Sequence, residues 1–282
     1  MQGRQSGRSQ KGGTGCLTVQ WRFQNKYFKV YDLMDEETVD EILGGKLKIC
    51  QSRRGYRFNL DSLILAHFVS LKPRTVNLDL GCGNGIMALV LAGRYVHSRW
   101  HGLEIQHALA LLAKKNVELN GMQRRVIINE GDARDIKKIY NPNSFDNIIF
   151  NPPYRKIDSG RINPLPEKAI ARHEISGSLD RFLQAAQCTL KPGGRVFTIY
   201  PATRMVELIS LFRKRKMEPK RMKLVFSDTS SHAEFVLTEG RSGSREELKM
   251  EPPLYIYQAP RQYTESMKSI LTDLAFPPAA SG

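Results

Sequence analysis

Short apolar runs alternate with longer amphipathic segments through the middle of the chain, from about Tyr56 onward. Apolar runs of about four to eight residues are typical of buried strands, and longer segments with apolar positions three and four apart are typical of helices. The predicted strands cover residues 76–80, 100–104, 126–128, 147–150 and 195–200. The predicted helices cover residues 60–71, 86–92, 108–119 and 179–190. This alternation predicts an α/β fold with a doubly wound, mostly parallel sheet.

The alternation stops after about residue 222. Two apolar stretches, 223–226 and 233–237, are separated there by the short polar segment 227–232. Such a connection suits a hairpin and is too short for the crossover that joins parallel strands, so the sheet is predicted to end in an antiparallel pair. Nearer the start, Asn59 is the predicted N-cap of the first helix, and Asn120-Gly121 is predicted to end the third.

Polarity divides the chain into three predicted regions. Residues 1–33 begin with a basic, almost apolar-free stretch and are expected to form a flexible extension. Residues 34–264 form the main domain, and residues 265–282 form a C-terminal helix and tail. Because the sequence changes at Met34 from basic and polar to acidic and apolar residues, a translation start at Met34 is favoured over an upstream arm that contacts RNA.

Basic residues outnumber acidic ones, with 43 Lys and Arg against 28 Asp and Glu and a formal net charge of +15. A field of this sign favours a nucleic-acid partner but does not choose among tRNA, rRNA and DNA. The chain has no apolar run near the ~20 residues of a membrane span and begins with polar residues, so no membrane association and a cytoplasmic location are expected. The four cysteines, at positions 16, 50, 82 and 188, lack metal-binding spacing, so free thiols and no metal are predicted.

A glycine-rich turn, Asp79-Leu80-Gly81-Cys82-Gly83-Asn84-Gly85, follows the first predicted strand. Open α/β sheets bind ligands at the carboxyl ends of their strands, where glycines let the backbone approach closely. The GxGxG spacing disfavours a nicotinamide dehydrogenase, which has GxGxxG. Glu104 ends the second strand and can accept two ribose hydroxyls, and Asp132, in Gly131-Asp132-Ala133, can accept from an adenine amine. Three such features at consecutive strand ends predict a nucleoside-containing cofactor.

The tetrapeptide Asn151-Pro152-Pro153-Tyr154 follows the fourth predicted strand. An exocyclic amine is a poor nucleophile because its lone pair is delocalised into the ring. The Asn151 side-chain oxygen and the Pro152 carbonyl can accept from the NH2 group and turn that lone pair toward a methyl donor. Proline fixes the turn in advance, and Tyr154 offers a face on which a splayed base can stack.

These motifs resemble those of the class I amino-methyltransferases. The turn and the tetrapeptide are joined by Gly55-Tyr56-Arg57-Phe58, Asp61-Ser62, Ala171-Arg172-His173-Glu174 and Pro252-Pro253-Leu254. Together they resemble the bacterial tRNA1(Val) adenine-37 N6-methyltransferase family, from about residue 37 to residue 264.

The resemblance implies a Rossmann-like, seven-stranded sheet, S-adenosyl-L-methionine as methyl donor, and the adenine beside a tRNA anticodon as acceptor. It implies that Asp79 and the glycines hold the methionine end of the cofactor, Glu104 its ribose and Asp132 its adenine. The residues assigned to cofactor binding are Asp79, Gly81, Cys82, Gly83, Asn84, Gly85, Glu104, Asp132, Ala133 and, closing over the pocket, Tyr56, Phe58 and Asp61. The residues assigned to catalysis are Asn151, Pro152, Pro153 and Tyr154.

Two basic segments are candidate contacts for the tRNA anticodon arm. One is residues 211–223, in which seven Lys and Arg accompany the single acid Glu218. The other is the loop after Tyr154, with Arg155, Lys156, Arg161 and Arg172, which is long enough to be a lid that orders on RNA.

Other activities stay open on the sequence alone. A protein glutamine N5-methyltransferase and an rRNA guanine-N2 methyltransferase could use the same tetrapeptide, and a non-catalytic RNA-binding factor could keep the fold. The basic charge weighs against the first, and the joint presence of Asp79, Glu104, Asp132 and Asn151 weighs against the last. The oligomeric state is left open between a monomer and a weak dimer.

Overall fold

A computed structural model of the chain describes residues 29–33, 37–52, 59–152 and 179–275. At the N-terminal end of this range, three strands form a small antiparallel sheet that the sequence pattern did not predict: β1 (Lys29–Leu33), β2 (Glu37–Ile42) and β3 (Leu47–Ser52). The sheet lies in the order β1-β2-β3. Val39 and Cys50 of this sheet form a small buried cluster with Leu109 and Leu112.

The central sheet confirms the predicted α/β fold. Its strands are β4 (Val76–Leu80), β5 (Arg99–Glu104), β6 (Val126–Glu130), β7 (Phe145–Phe150), β8 (Leu190–Pro201), β9 (Met217–Phe226), β10 (Ala233–Ser242), β11 (Lys249–Met250) and β12 (Leu254–Tyr255). The order is β11-β9-β10-β8-β7-β4-β5-β6, with β12 also paired to β9. Strands β6, β5, β4, β7 and β8 are mutually parallel, and β10 is antiparallel to both neighbours. The seven long strands are those predicted. The two-residue strands β11 and β12 were not predicted and pair with β9 at the edge of the sheet.

Helices cover both faces of this sheet. They are α1 (Leu60–Phe68), α2 (Ile86–Arg94), α3 (His107–Leu119), α4 (Ile136–Ile139), α5 (Leu179–Thr189), α6 (Met205–Lys214) and α7 (Glu265–Asp273). A hydrophobic core on one face joins α1, α2, α3 and α7 to the sheet, and a second core on the other face joins α4, α5 and α6. A short hairpin of β13 (Tyr257–Ala259) and β14 (Gln262–Tyr263) precedes α7.

The first helix is shorter than predicted. It ends at Phe68 rather than at residue 71, because Val69 has an extended ψ of 127°. The Tyr95 hydroxyl stabilises the extended chain, donating to the Val69 carbonyl (2.9 Å) and accepting from the Leu71 N–H (3.3 Å). Asn59 precedes the helix as predicted, but its side chain makes no capping hydrogen bond.

Strand β8 is longer than predicted because it begins directly after α5. The segment 191–194 was predicted only to end the helix, yet it belongs to the strand as an irregularity in its pairing with β7. Phe145 pairs with Leu190 and Asn147 pairs with Arg195, so β8 carries three extra residues between these two pairs. Such a bulge accommodates a Pro-Gly-Gly sequence without ending the ladder.

The basic segment 211–223 is largely ion-paired in the fold. The pairs are Arg213 with Glu218 and Glu246, Lys214 and Arg215 with Asp180, Lys220 with Glu247, Arg221 with Glu239 and Glu251, and Lys223 with Glu251. The Arg221 guanidinium also lies 4.0 Å from the Phe68 ring centre and donates to the Phe68 carbonyl. Because β9 runs parallel to β8, the middle of this segment lies at the amino end of the parallel strands. These cations are therefore engaged in the fold, on the side away from the strand ends that carry Asp79 and Glu104.

Within the described ranges, none of the helices is long and apolar enough to cross a membrane. Cys50, Cys82 and Cys188 are free thiols, as predicted, and Cys16 lies outside the described residues.

Candidate functional site

The carboxyl ends of four neighbouring parallel strands bring together most of the predicted site residues. In the order β7-β4-β5-β6, these ends carry Asn151, Asp79, Glu104 and Asp132. Asp79 pairs with Ile149 on one side and Gly102 on the other, which fixes the level of these ends. Residues as far apart in sequence as Asp79 and Asn151 therefore meet at one edge of the sheet, where open α/β sheets bind ligands.

The glycine turn after β4 adopts a backbone that only glycine adopts without strain. Gly81, Gly83 and Gly85 have φ angles of 74°, 56° and 82°. The N–H groups of Gly81 and Cys82 donate to the Leu103 carbonyl at 2.7 and 3.1 Å, which holds the turn against β5. The sequence pattern located this turn correctly because its glycines are a local signal.

Gly85 offers a direct test of the turn's steric requirement. A Cβ there would lie 3.2 Å from the Ala113 Cβ, and φ is +82°. We expect Gly85→Ala to lower the free energy of unfolding by about 2–3 kcal/mol through left-handed strain and crowding. The control is Gly121→Ala, where φ is +63° and nothing lies within 4 Å, so strain alone should cost about 1–2 kcal/mol. Urea unfolding of both variants measures the difference; equal losses would contradict the crowding.

Glu104 is a buried carboxylate that joins β5 to the glycine turn. It is 5% exposed, and its two oxygens accept from the N–H groups of Gly83 (2.8 Å) and Gln106 (2.9 Å). Burial raises its pKa. Each carboxylate oxygen has a second lone pair, so both can still accept from a diol.

Asp79 and Asn84 carry buried polar atoms that have no hydrogen-bond partner among the described residues. They are the Asp79 Oδ1 atom and both side-chain atoms of the Asn84 amide. The other Asp79 oxygen accepts from the Ala88 N–H at 3.1 Å, in the first turn of α2. Burial and, to a smaller extent, the nearby Glu104 carboxylate raise the pKa of Asp79 to about 8. Unsatisfied buried groups are rare in native proteins. The two oxygens fit a hydrogen-bond donor such as an ammonium group, and the Asn84 Nδ2 fits an acceptor such as a carboxylate.

Asp132, the predicted adenine acceptor, is already engaged by Arg134. Its Oδ1 accepts from the Arg134 N–H at 2.8 Å, and its Oδ2 accepts from the Arg134 Nε at 2.7 Å. Burial opposes ionisation of Asp132, but the hydrogen bonds from Arg134 outweigh it and lower the pKa. An adenine amine must therefore share the carboxylate with the guanidinium or displace it. Ala133 follows in a short 3-10 turn, Ala133–Asp135.

Two side chains, one in the turn and one beside it, pack against neighbouring elements. Cys82 is buried, and a Cβ on Gly102 would lie 2.8 Å from its Sγ atom, so the thiol packs on β5. Phe182 of α5, which sequence reasoning missed, lies against the turn: a Cβ on Gly81 would be 3.1 Å from its Cε1 atom. Its ring also contacts Phe150, with centres 5.4 Å apart. The amphipathic pattern of the helix that follows the tetrapeptide could have predicted that Phe182 faces the sheet.

Asn151 and Pro152 directly follow β7, and Asn151 is half-buried while Pro152 is buried. Asp79 of β4 is paired with Ile149 of β7, and Gly81 and Asn151 each lie two residues further along their own strand's direction. The tetrapeptide therefore begins beside the glycine turn. Four of the predicted site residues lie outside the described residues: Tyr56, Phe58, Pro153 and Tyr154. The predicted RNA-binding loop after Tyr154 lies outside them as well.

Asp61 lies in the first turn of α1 and is partly buried. Burial raises its pKa to about 6, and the carboxylate of Glu234, at the start of β10, adds to the shift. The charged neighbour of Asp61 therefore lies on the antiparallel hairpin of β9 and β10. The contact of Asp61 with the cofactor stays a prediction. Across the part of the chain that the structure describes, no group of three or more His, Cys, Asp or Glu side chains could hold a metal ion.

The chain is similar in sequence to proteins named as tRNA methyltransferases. The chain is 34% identical over 133 residues to a Porphyromonas gingivalis protein named tRNA1(Val) (adenine(37)-N6)-methyltransferase, a match covering 46% of this chain and only 51% of that relative. It is 26% identical over 235 residues to a Pedobacter heparinus protein of the same name, covering 82% of this chain and 97% of that relative.

A solved structure shares the fold. It is described as a predicted O-methyltransferase, Atu636 from Agrobacterium tumefaciens, with a TM-score of 0.63 and 19% identity over 79% of this chain and 100% of that one. The family model for the methyltransferase small domain matches residues 57–217, more than half of the 282 residues. This range includes the glycine turn, both acidic strand ends and the tetrapeptide. The chain therefore belongs to the methyltransferase small domain family.

Proposed function

We propose that this protein transfers a methyl group from S-adenosylmethionine to the exocyclic N6 of an adenine in tRNA, specifically adenine 37 of tRNA1(Val). The observation that carries the proposal is the register of β4 and β7, which sets the Asn151-Pro152 pair beside the glycine turn. A donor held by the turn and an amine held by Asn151 would then face each other across neighbouring strands. The names of the relatives supply the acceptor, and a cytoplasmic location is proposed with it.

The residues at the strand ends suit S-adenosylmethionine, which is the methyl donor used by this class of enzyme. The unpaired Asp79 Oδ1 and the Asn84 amide would receive its ammonium and carboxylate. Glu104 would accept from the ribose hydroxyls through its free lone pairs, and Asp132 with Ala133 would contact the adenine. When bound, the cofactor supplies an electrophilic methyl group on a sulfonium.

Asn151 and Pro152 would activate the acceptor amine. The Asn151 Oδ1 and the Pro152 carbonyl accept one N–H each, and this holds the NH2 group out of conjugation so that its lone pair points at the methyl group. Both acceptors follow a buried strand and precede a second proline, so they need little reorganisation as the reaction proceeds. Alignment of amine, methyl and sulfur can contribute about 7–11 kcal/mol. The methylated amine is acidic and releases its proton to solvent, so no general base is required.

The charge of the chain suits an RNA substrate. Its formal net charge is +15, although the basic side chains of the segment 211–223 are largely ion-paired within the protein. Lys and Arg that neutralise phosphates release counterions and make binding salt-dependent. We propose the anticodon arm as the contacted region, because the acceptor named for the relatives lies beside the anticodon.

The test is incubation with methyl-labelled S-adenosylmethionine, total cellular RNA and total protein, followed by nucleoside and amino-acid analysis. The expected result is label in N6-methyladenosine of the tRNA fraction. In a second incubation, a tRNA1(Val) transcript should be labelled, and a transcript in which guanine replaces adenine 37 should not. Label confined to glutamine of a protein would support the glutamine N5-methyltransferase instead. Label in N2-methylguanosine of rRNA would support the rRNA enzyme, and no label with cofactor bound would support the non-catalytic factor.

A further inference from the structure

Asn116 in α3 is a fully buried asparagine whose side chain uses three hydrogen bonds. Its Oδ1 accepts from the Cys50 N–H at 2.7 Å, and its Nδ2 donates to the Cys50 carbonyl at 3.0 Å. The same Nδ2 donates to the Asn84 carbonyl in the glycine turn, also at 3.0 Å. One amide therefore joins β3 of the N-terminal sheet to the turn after β4.

Asn120, one helical turn later, makes a matching pair of bonds to the same strand. It accepts from the Lys48 N–H at 2.9 Å and donates to the Lys48 carbonyl at 2.7 Å. Four helical residues rise about 6 Å, close to the roughly 6.6 Å spanned by two strand residues. The two asparagines thus pair with the free edge of β3 as a neighbouring strand would. They differ in their third hydrogen bond: the Asn116 amide donates to the Asn84 carbonyl in the glycine turn, whereas the half-buried Asn120 amide donates to the Asn116 carbonyl of its own helix at 2.7 Å.

The contact from Asn116 fixes one particular peptide plane. In the peptide between Asn84 and Gly85, the Gly85 N–H donates to the Cys82 carbonyl at 2.9 Å, and the Asn84 carbonyl accepts from Asn116. Gly85 has little intrinsic preference for its φ of 82°, so these two bonds determine the orientation of the peptide. This peptide leads directly into α2, whose first N–H groups face the site.

We propose that Asn116 is a positioning residue for cofactor binding, which holds the Asn84–Gly85 peptide in its ligand-ready orientation and ties it to β3. This role rests on the proposed function, because S-adenosylmethionine is taken as the ligand of the turn. Without the Asn116 amide, the peptide is anchored at one end only, and binding must order it.

The test compares Asn116→Ala with Asn120→Ala, which removes the same kind of anchor to β3 but leaves the turn untouched. Titration calorimetry with S-adenosylhomocysteine is performed below the lower melting temperature of the two variants. We expect Asn116→Ala to raise the Kd about tenfold or more and Asn120→Ala to leave it within about twofold. Melting temperatures should fall in both. The KM for S-adenosylmethionine should follow the Kd, with kcat within about threefold of wild type.

Further readouts keep the proposal testable if Asn116→Ala does not fold. Asn116→Ser is the milder variant, and amide hydrogen exchange at Gly85 should speed up in it but not in Asn120→Ala. Equal Kd values in folded Asn116 and Asn120 variants would overturn the proposal. Wild type that binds S-adenosylhomocysteine but methylates no tRNA would refute the proposed acceptor alone. Wild type that binds no S-adenosylhomocysteine would overturn both proposals.

Discussion

Asn151→Ala is expected to lower kcat about 10³-fold while leaving the Kd for S-adenosylmethionine within about threefold of wild type. Alanine removes one of the two acceptors that hold the amine out of conjugation, and this interaction matters most in the transition state. The residue follows β7 rather than lying in the glycine turn, so the hydrogen bonds that hold Asp79 and Glu104 at the proposed cofactor site are unaffected. Single-turnover kinetics with tRNA, together with calorimetry for the cofactor, separate the two effects.

Two further variants define what Asn151 does. Asn151→Asp keeps an oxygen acceptor at the same place, so it should retain more activity than Asn151→Ala, with a loss of about tenfold. Asn141→Ala, in the exposed turn before β7, should match wild type. If Asn151→Ala kept more than a tenth of wild-type turnover, the amine-holding role would be wrong.

Asp79→Asn is expected to weaken S-adenosylmethionine binding by at least about 100-fold. The substitution removes a buried carboxyl group that can ionise when a cation binds, and whose Oδ1 has no partner within the described residues. We propose that this oxygen meets the ammonium group of the cofactor. Removing one partner of a buried charge pair costs about 2–5 kcal/mol. Asp135→Asn removes an exposed carboxylate near the same edge and is the matched control, with binding expected to be unchanged.

The raised pKa of Asp79 also predicts how binding depends on pH. In the ligand-free protein the pKa of Asp79 is about 8, because burial disfavours the charged carboxylate. A cationic ligand favours the ionised form, so binding releases up to one proton below pH 8. We expect the wild-type affinity for S-adenosylmethionine to rise about tenfold from pH 6 to pH 7, where the ligand's ammonium group stays protonated, and the Asp79→Asn affinity to stay flat. Calorimetry in buffers of different ionisation enthalpy counts the protons; equal pH dependence in both proteins would contradict the assignment.

The same shift has the opposite sign for the stability of the ligand-free protein. The pKa of Asp79 is raised from 3.8 to about 8, so between these values the unfolded chain releases a proton that the folded chain retains. Asp79 therefore lowers the free energy of unfolding progressively from about pH 4 to pH 8, with no further loss above that. Asp79→Asn lacks this loss, so its stability relative to wild type should increase from pH 5 to pH 8. Urea unfolding at several pH values tests this, and a constant difference would contradict it.

Local patterns predicted the parts of the fold that depend on neighbouring residues in the sequence. The strand 76–80 was predicted with its observed bounds, and the hairpin of β9 and β10 followed from a short polar connection. The glycine turn was found for the same reason, because its left-handed backbone requires glycine at fixed positions.

Contacts between distant segments were not predicted. The β1–β3 sheet was missed because its strands lack a clear periodicity, and its edge is satisfied by side chains of α3 rather than by another strand. The segment 211–223 looked free to bind phosphate because its own sequence holds a single acid, yet its partners come from α5, β10 and the region around β11. The end of α1 likewise depended on Tyr95, which lies 26 residues beyond Val69.

The sequence by itself determined the class of fold, the turn that can hold a nucleoside and the tetrapeptide that can hold an amine. These follow from periodicity and from the backbone preferences of glycine and proline, which act over a few residues. Only the tertiary structure decided which charges are paired across the fold and that Asn116 ties the N-terminal sheet to the turn. Those facts depend on which elements become neighbours, because a hydrogen bond or ion pair forms only where packing brings two groups within about 3–4 Å.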